Sequence, residues 1–258
     1  MNTSNNFKTW LTIGVVALSF ASTQAPAAEG QDRWRISLVP YIWLPAVDTE
    51  FSVNGVPADG DSSTSSFDVF DALEMALMGT VEAGYGRFSV IFDFQYVRLG
   101  DEFSTNLPSG SVLKSDYDLT LATGSAGVGY RFVDEEKISL DGLVGARVVY
   151  TGFEADLDDS SGASFSAEED VTLVDPVIGG RASWHFAPKW SLTGYGDIGG
   201  FGVGSDLTWQ ALGSIDYRFN EHFELRVGYR AFALDFDEDD LKLDIVLHGP
   251  IIALGITF

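Results

Sequence analysis

Seven acids and four arginines stand out as the side chains most able to do chemistry, because they interrupt apolar segments at alternate positions. They are Glu82, Asp93, Asp141, Asp175, Asp197, Asp216 and Glu224, with Arg147, Arg181, Arg226 and Arg230. In an extended strand alternate residues share a face, so these charges collect on one side while apolar residues fill the other. Mixed charges gathered in a confined space can neutralise one another, or they can line a constriction that selects ions. A second concentration is glycine: Gly194, Gly196, Gly199, Gly200, Gly202 and Gly204 fall within one strand and its turn. No lysine at the required offset and no helix follow, so this is not a phosphate cradle. Close backbone approach, or room for neighbouring aromatic rings, is its expected use.

The elements that position these charges are long strands with a two-residue period. From Ile138 to Phe153, Ile138, Leu140, Val144, Ala146, Val148 and Tyr150 alternate with Ser139, Asp141, Gly145, Arg147 and Thr151. Phe88 to Tyr96 and Phe223 to Arg230 repeat the pattern. Strands of 14 to 17 residues are long for a soluble sandwich. They suit an all-β, transmembrane antiparallel up-and-down β-barrel, with apolar residues toward lipid and charges toward the lumen. Ten strands are predicted, starting near Trp34, Met75, Arg87, Asp116, Ile138, Val171, Trp190, Asp206, Phe223 and Leu241, with eight as the alternative. Short turns near Gly86, Val133 to Lys137, Pro188 and Glu221 alternate with longer polar connections at Pro45 to Glu74, Gly100 to Ser115, Ala155 to Asp170 and Asp237 to Asp240. The short Gly202 to Ser205 belongs to the second set. In outer-membrane barrels the short turns are periplasmic, which places both termini there. In the first long connection, Ser65, Ser66, Phe67, Phe70 and Leu73 predict a short helical turn.

The ends of the chain agree with that destination. Lys8, the apolar run Trp10 to Ala21 and the site Ala25-Pro26-Ala27 have the form of a secretory signal peptide, predicted as residues 1–27 and leaving 28–258 as one barrel domain. Cleavage removes Lys8 and no acid, taking the formal charge from 15 − 38 = −23 to 14 − 38 = −24. Such an acidic chain is not expected to bind nucleic acid. At the other end Ile252, Leu254, Ile256 and Phe258 share one face. They resemble the C-terminal signature of outer-membrane barrels, an aromatic last residue read by the barrel assembly machinery. Leu243, Ile245 and Leu247 fall in the opposite register in this reading, and a bulge at Gly249-Pro250 is predicted to reconcile them.

Catalysis has thinner support. Cysteine is absent, so thiolate chemistry, thiolate metal sites and disulfides are excluded. A barrel protease needs paired acids and a histidine–aspartate couple at the outer rim. A lipid deacylase needs a serine beside a rim histidine. His185 and His222 fall at the periplasmic end and only His248 lies higher, so the chain is read as carrying no enzyme activity and no cofactor. Glu154 to Asp170 holds seven acids and Asp235 to Asp244 six, neither with EF-hand spacing. They read as solvated loops, with weak bridging of Ca²⁺ or Mg²⁺ to lipopolysaccharide as the alternative. The remaining expected partner is outer-membrane lipid.

A narrower likeness runs through most of the chain. Pro40-Tyr41-Ile42-Trp43-Leu44-Pro45, Asp175-Pro176 with Arg181, Gly196 to Asp206 with Trp209, Gly228-Tyr229-Arg230 and His248-Gly249-Pro250 resemble an uncharacterised family of outer-membrane β-barrel proteins. The resemblance implies the fold and no activity. The function expected is a small barrel with a charged, largely side-chain-filled lumen in a structural or narrow-pore role. The alternatives are an enzyme acting on lipid or peptide, and a protein binding surface ligands or divalent cations.

Overall fold

The computed structural model describes residues 33–53, 56–57, 62–64, 72–106, 112–159, 164–238 and 241–258. The predicted signal peptide and the helical-turn residues Ser65, Ser66, Phe67 and Phe70 lie outside them. Among the described residues there is no helix, and Leu73, the last residue assigned to that turn, opens a strand.

Ten antiparallel strands form a closed barrel: β1 (Trp34–Trp43), β5 (Leu73–Tyr85), β6 (Phe88–Asn106), β7 (Val112–Asp134), β8 (Ile138–Asp159), β9 (Ser164–Ala187), β10 (Trp190–Gly200), β11 (Leu207–Arg218), β12 (Phe223–Glu238) and β13 (Leu241–Thr257). Pairing of β1 with β13 closes the ring. The glycine-rich β10 and its partner β11 pair over eleven positions, so both are full wall strands and the eight-strand alternative falls. Three shorter strands, β2 (Ala46–Val53), β3 (Val56–Pro57) and β4 (Ser62–Thr64), follow β1; β2 continues along β13 and carries the other two.

The outward face is the apolar one. Ile36, Val90, Val128, Val144, Ile178, Ile198, Ile215, Val227 and Ile252 are all exposed on it. At about 3.3 Å per residue and a tilt of about 40°, ten residues rise roughly 25 Å, the height of an outer-membrane apolar band. β1, with ten residues, is just that long. Below the band, Trp34 packs on Tyr85, Phe88 on Tyr130, Trp184 on Phe186 and Trp190 on Tyr217 at ring separations of 4.7–5.7 Å. They form the aromatic girdle expected at a membrane interface.

Two predictions about the outer side need correction. The stretches Gly100 to Ser115 and Ala155 to Asp170 are not loops for most of their length. β7, β8 and β9 run 23, 22 and 24 residues, and their ladders continue through Asn106–Val112 and Asp158–Ser164. Strands of that length rise roughly 55 Å, so the wall they form projects well beyond the membrane. The bulge at Gly249-Pro250 is also absent. β13 pairs with β12 in one register from Phe223–Ile256 to Glu238–Leu241, and Gly249 is the point where a Cβ would sit 2.0 Å from the carbonyl oxygen of Leu44. With the register unbroken, Ile245 and Leu247 point inward, on the same side as Ile251 and Ala253, and pack against the buried core.

Candidate functional site

Strand parity delivers all eleven predicted charges to the lumen. Ten are buried, with Asp93 and Asp175 at 0% exposure, and the Glu82 side chain keeps 12%. Hydrogen bonds and ion pairs among the described residues gather them into four groups.

Nearest the periplasmic end, Arg226 on β12 donates through Nε to Asp216 at 2.9 Å and through Nη2 to Glu224 at 3.2 Å. Arg218 reaches Glu224 at 3.5 Å, and Thr193 and Ser214 complete the shell of Asp216. A second group centres on Arg181 of β9, which pairs with Asp141 on the adjoining β8 at 2.5 Å and with Glu82 on β5 at 3.2 Å. Arg131 shares Asp141 at 2.8 Å. β5 and β9 are separated around the ring by three strands one way and five the other, so the Arg181–Glu82 pair crosses the lumen.

Higher up, Arg147 grips Asp197 through Nη2 at 2.6 and 2.7 Å, and its guanidinium carbon lies 5.4 Å from the Phe232 ring centre on β12. Asp197 also accepts from Tyr195 and from Gln210 at 2.8 Å. Arg230 donates to Gln210 at 2.6 Å and to the Tyr41 hydroxyl at 3.1 Å, lies 3.9 Å from Asp93, and stacks 4.9 Å from the Trp43 ring. Asp93 accepts from Tyr41, and from Thr80 at 3.3 Å. Two further contacts therefore span opposite walls, β8 to β12 and β12 to β6. Such pairing is what burial demands, because an isolated charge in a dry interior costs several kcal/mol.

Asp175 departs from the expected ion pairing. It accepts from the backbone N–H of Ser205 at 2.8 Å, the Ser205 hydroxyl at 2.7 Å and Thr208 at 3.3 Å. The glycines supply this geometry. Gly200, Phe201 and Gly202 take positive φ values of 89°, 55° and 69°, and Gly204 lies against the Val174 backbone where a Cβ would be 2.6 Å from its oxygen. Gly194 and Gly196 meet no such crowding. The glycine-rich turn is thus a cap that folds over a lumen carboxylate.

Tyr41, Thr80, Arg131, Tyr195, Gln210 and Arg218 belong to the site and escape a reading based on alternating charge. Tyrosine and glutamine in a strand carry no sign of which face they take. Parity would have found them once neighbours fixed the register.

Outside the lumen, His248 lies between Asp48 at 3.1 Å and the Tyr229 hydroxyl at 2.7 Å. This acid–histidine couple is of the sort a hydrolytic barrel would require, but it stands on the outer wall with a tyrosine as third partner. Among the described residues no group of three or more acids or histidines is arranged to hold a metal. Ile252, Leu254 and Phe258 are exposed on the outer face with Ile256 half-buried between them.

A family described as "Protein of unknown function, DUF481" matches residues 99–235, which spans the lumen charges from Asp141 to Arg230 and both projecting hairpins. No curated protein matches the chain. Among solved structures, the outer membrane protease OmpT of Escherichia coli superposes with a TM-score of 0.56 at 10% identity, over 90% of this chain and 99% of that one. The translocator domain of the autotransporter NalP of Neisseria meningitidis gives a TM-score of 0.50 at 12% identity, over 89% and 90%. The shared fold is that of the bacterial outer-membrane β-barrel, and at these identities the likeness extends to the fold alone.

Proposed function

The chain belongs to the DUF481 family, and we propose that this member is a structural barrel of the outer membrane whose lumen is closed by its own side chains, with a narrow, intermittent pore as the most it can offer. The observation that carries the reading is that side chains from opposite walls meet: Arg181 with Glu82, Arg230 with Asp93, and Arg147 with Phe232. An interior of about eight strands is just wide enough for side chains to fill, and ten strands widen it by about a quarter. Three crossings between opposite walls narrow any aqueous path past them, which supports the closed reading. The role is non-enzymatic in this reading. Lipid and lipopolysaccharide cover the apolar outer wall, residues 1–27 are removed on export, and the assembly machinery reads the strand ending in Phe258.

The test is solute entry into proteoliposomes. Wild-type protein is expected to leave swelling in an arabinose or KCl gradient at the rate of empty vesicles. Replacing Arg181 and Arg230 together with serine should raise cation entry, because the acids left behind line the freed space. Rapid swelling with wild-type protein, unchanged by the double substitution, would replace this reading with an open channel.

A further inference from the structure

The wall that projects beyond the membrane is not closed, and β9 forms one of its edges. Counted from Trp184 in the aromatic girdle, about ten residues of β9 cross the apolar band, so the residues before Val174 lie outside it. There β9 keeps its ladder to β8 without a break, from Val149–Leu173 to Asp158–Ser164. On its other side the ladder to β10 ends at Val177–Gly199, and the glycine-rich turn reaches no further than Val174, against which Gly204 lies. Among the described residues nothing pairs with that side of β9 from Ser164 to Leu173.

In an antiparallel pair every second residue turns its N–H and C=O away from the partner. Ser164 to Leu173 therefore presents roughly 30 Å of unpaired backbone donors and acceptors. Such an edge is a template for another strand, and proteins usually shorten it, bend it with a bulge or interrupt it with proline. None of those devices occurs between Ser164 and Leu173. The edge carries the acidic run Glu168-Glu169-Asp170 instead.

The two faces beside this edge differ. Glu168 and Asp170 share the outward parity of Ile178, and next to them on β8 stand Glu154, Asp156 and Asp158, all exposed. On the face that continues the lumen lining, Phe165, Val171 and Leu173 take the parity of Asp175, with Glu169 as the charged exception. Phe165 is 62% exposed and Val171 46%, and Phe153 on the same face of β8 is 41% exposed against Tyr117 of β7. Apolar side chains open to water beside unpaired backbone mark a surface suited to a partner. The charges decide which one. A second copy on the same edge would bring the acidic run toward its own duplicate, and like charges facing across a ladder are destabilising.

We propose that this edge of β9 is a site of strand addition for an extended peptide that alternates basic and apolar residues. The peptide backbone completes the ladder, its basic side chains lie beside Glu168 and Asp170, and its apolar ones lie beside Phe165, Val171 and Leu173. The site stands above the ion pairs of the lumen, so its test is separate from vesicle swelling.

The test is hydrogen exchange read by mass spectrometry on the protein in nanodiscs of zwitterionic lipid, with a peptide of alternating lysine and valine as probe. A second peptide of the same composition has its lysines and valines in separate blocks, which keeps the charge and destroys the period. The segment from Ser164 to Leu173 is expected to gain protection saturably with the alternating peptide. The block peptide should bind roughly tenfold more weakly, the loss expected when two or three favourable cross-strand pairs are removed. Glu168→Lys combined with Asp170→Lys should lose the lysine–valine peptide and bind one of alternating glutamate and valine, which the native edge rejects. The shift on an unboiled gel shows that the variant has folded. If it has not, Glu168→Gln with Asp170→Asn takes its place and should weaken the first peptide without gaining the second. Equal affinity for the two lysine peptides, no gain of protection in β9, or binding unchanged by the substitutions would overturn the proposal. Protection of the segment before any peptide is added would also overturn it, because the edge would already be covered.

Discussion

Arg147 and Arg98 show how differently the same residue type is used on the two faces of one wall. Arg147 and its partner Asp197 each have 1% side-chain exposure, and the carboxylate is further held by Tyr195 and Gln210. Arg98 pairs with Glu74 at 3.0 Å and Asp118 at 2.7 Å on the outer surface, with 43% of its side chain exposed. Breaking a buried pair from one side strands the other charge and costs about 3–5 kcal/mol, whereas an exposed pair is worth about 1 kcal/mol or less. Asp197→Asn should therefore lower the temperature at which the folded gel species is lost by many degrees, and Arg98→Ala should barely move it. Equal effects would show that the lumen pair is solvated. The eleven charges were legible in the sequence because each breaks an apolar alternation. Tyr41 and Tyr195 were not, since an aromatic residue fits either face of a membrane strand and only the ladder tells which.

At the scale of elements, strand existence and order could be read from periodicity, and strand length could not. Below the interface one face must be apolar, so the period-two signal is strong. Above it both faces meet water, and Asp156 opposite Asp116 or Glu154 opposite Glu168 reads as loop although each is a paired rung. Like charges directly opposite destabilise a ladder by some tenths of a kcal/mol. Asp156→Asn should accordingly leave the hairpin intact and reduce any stabilisation that added Mg²⁺ gives. A Mg²⁺ effect that the substitution leaves untouched would separate the acids from cation bridging. Leu247 was misassigned for a related reason. The inner face was taken as polar throughout, so an inward leucine looked like a register change, when the lumen itself turns apolar near its mouth. Gly249→Ala tests the unbroken register: its Cβ meets a backbone oxygen that cannot swing away, and about 1–3 kcal/mol of stability should be lost. Sidedness follows from the same geometry. A membrane-impermeant thiol reagent on intact cells should reach Asp158→Cys and not Lys189→Cys, and the opposite result would invert the barrel.

For the whole molecule, a closed ring of ten strands with an apolar exterior and buried charges in its interior inverts the arrangement of a soluble protein. Lipid is then the solvent that stabilises the outside, and the ion pairs at the centre hold opposite walls together. Occlusion of the lumen by these crossings is tested most directly by single-channel recording of the wild-type protein in a planar bilayer. The expected record is a closed baseline broken only by rare, brief openings, which become more frequent and cation-selective when Arg181 and Arg230 are both replaced by serine. A large, steady wild-type conductance that the two substitutions leave unchanged would contradict it.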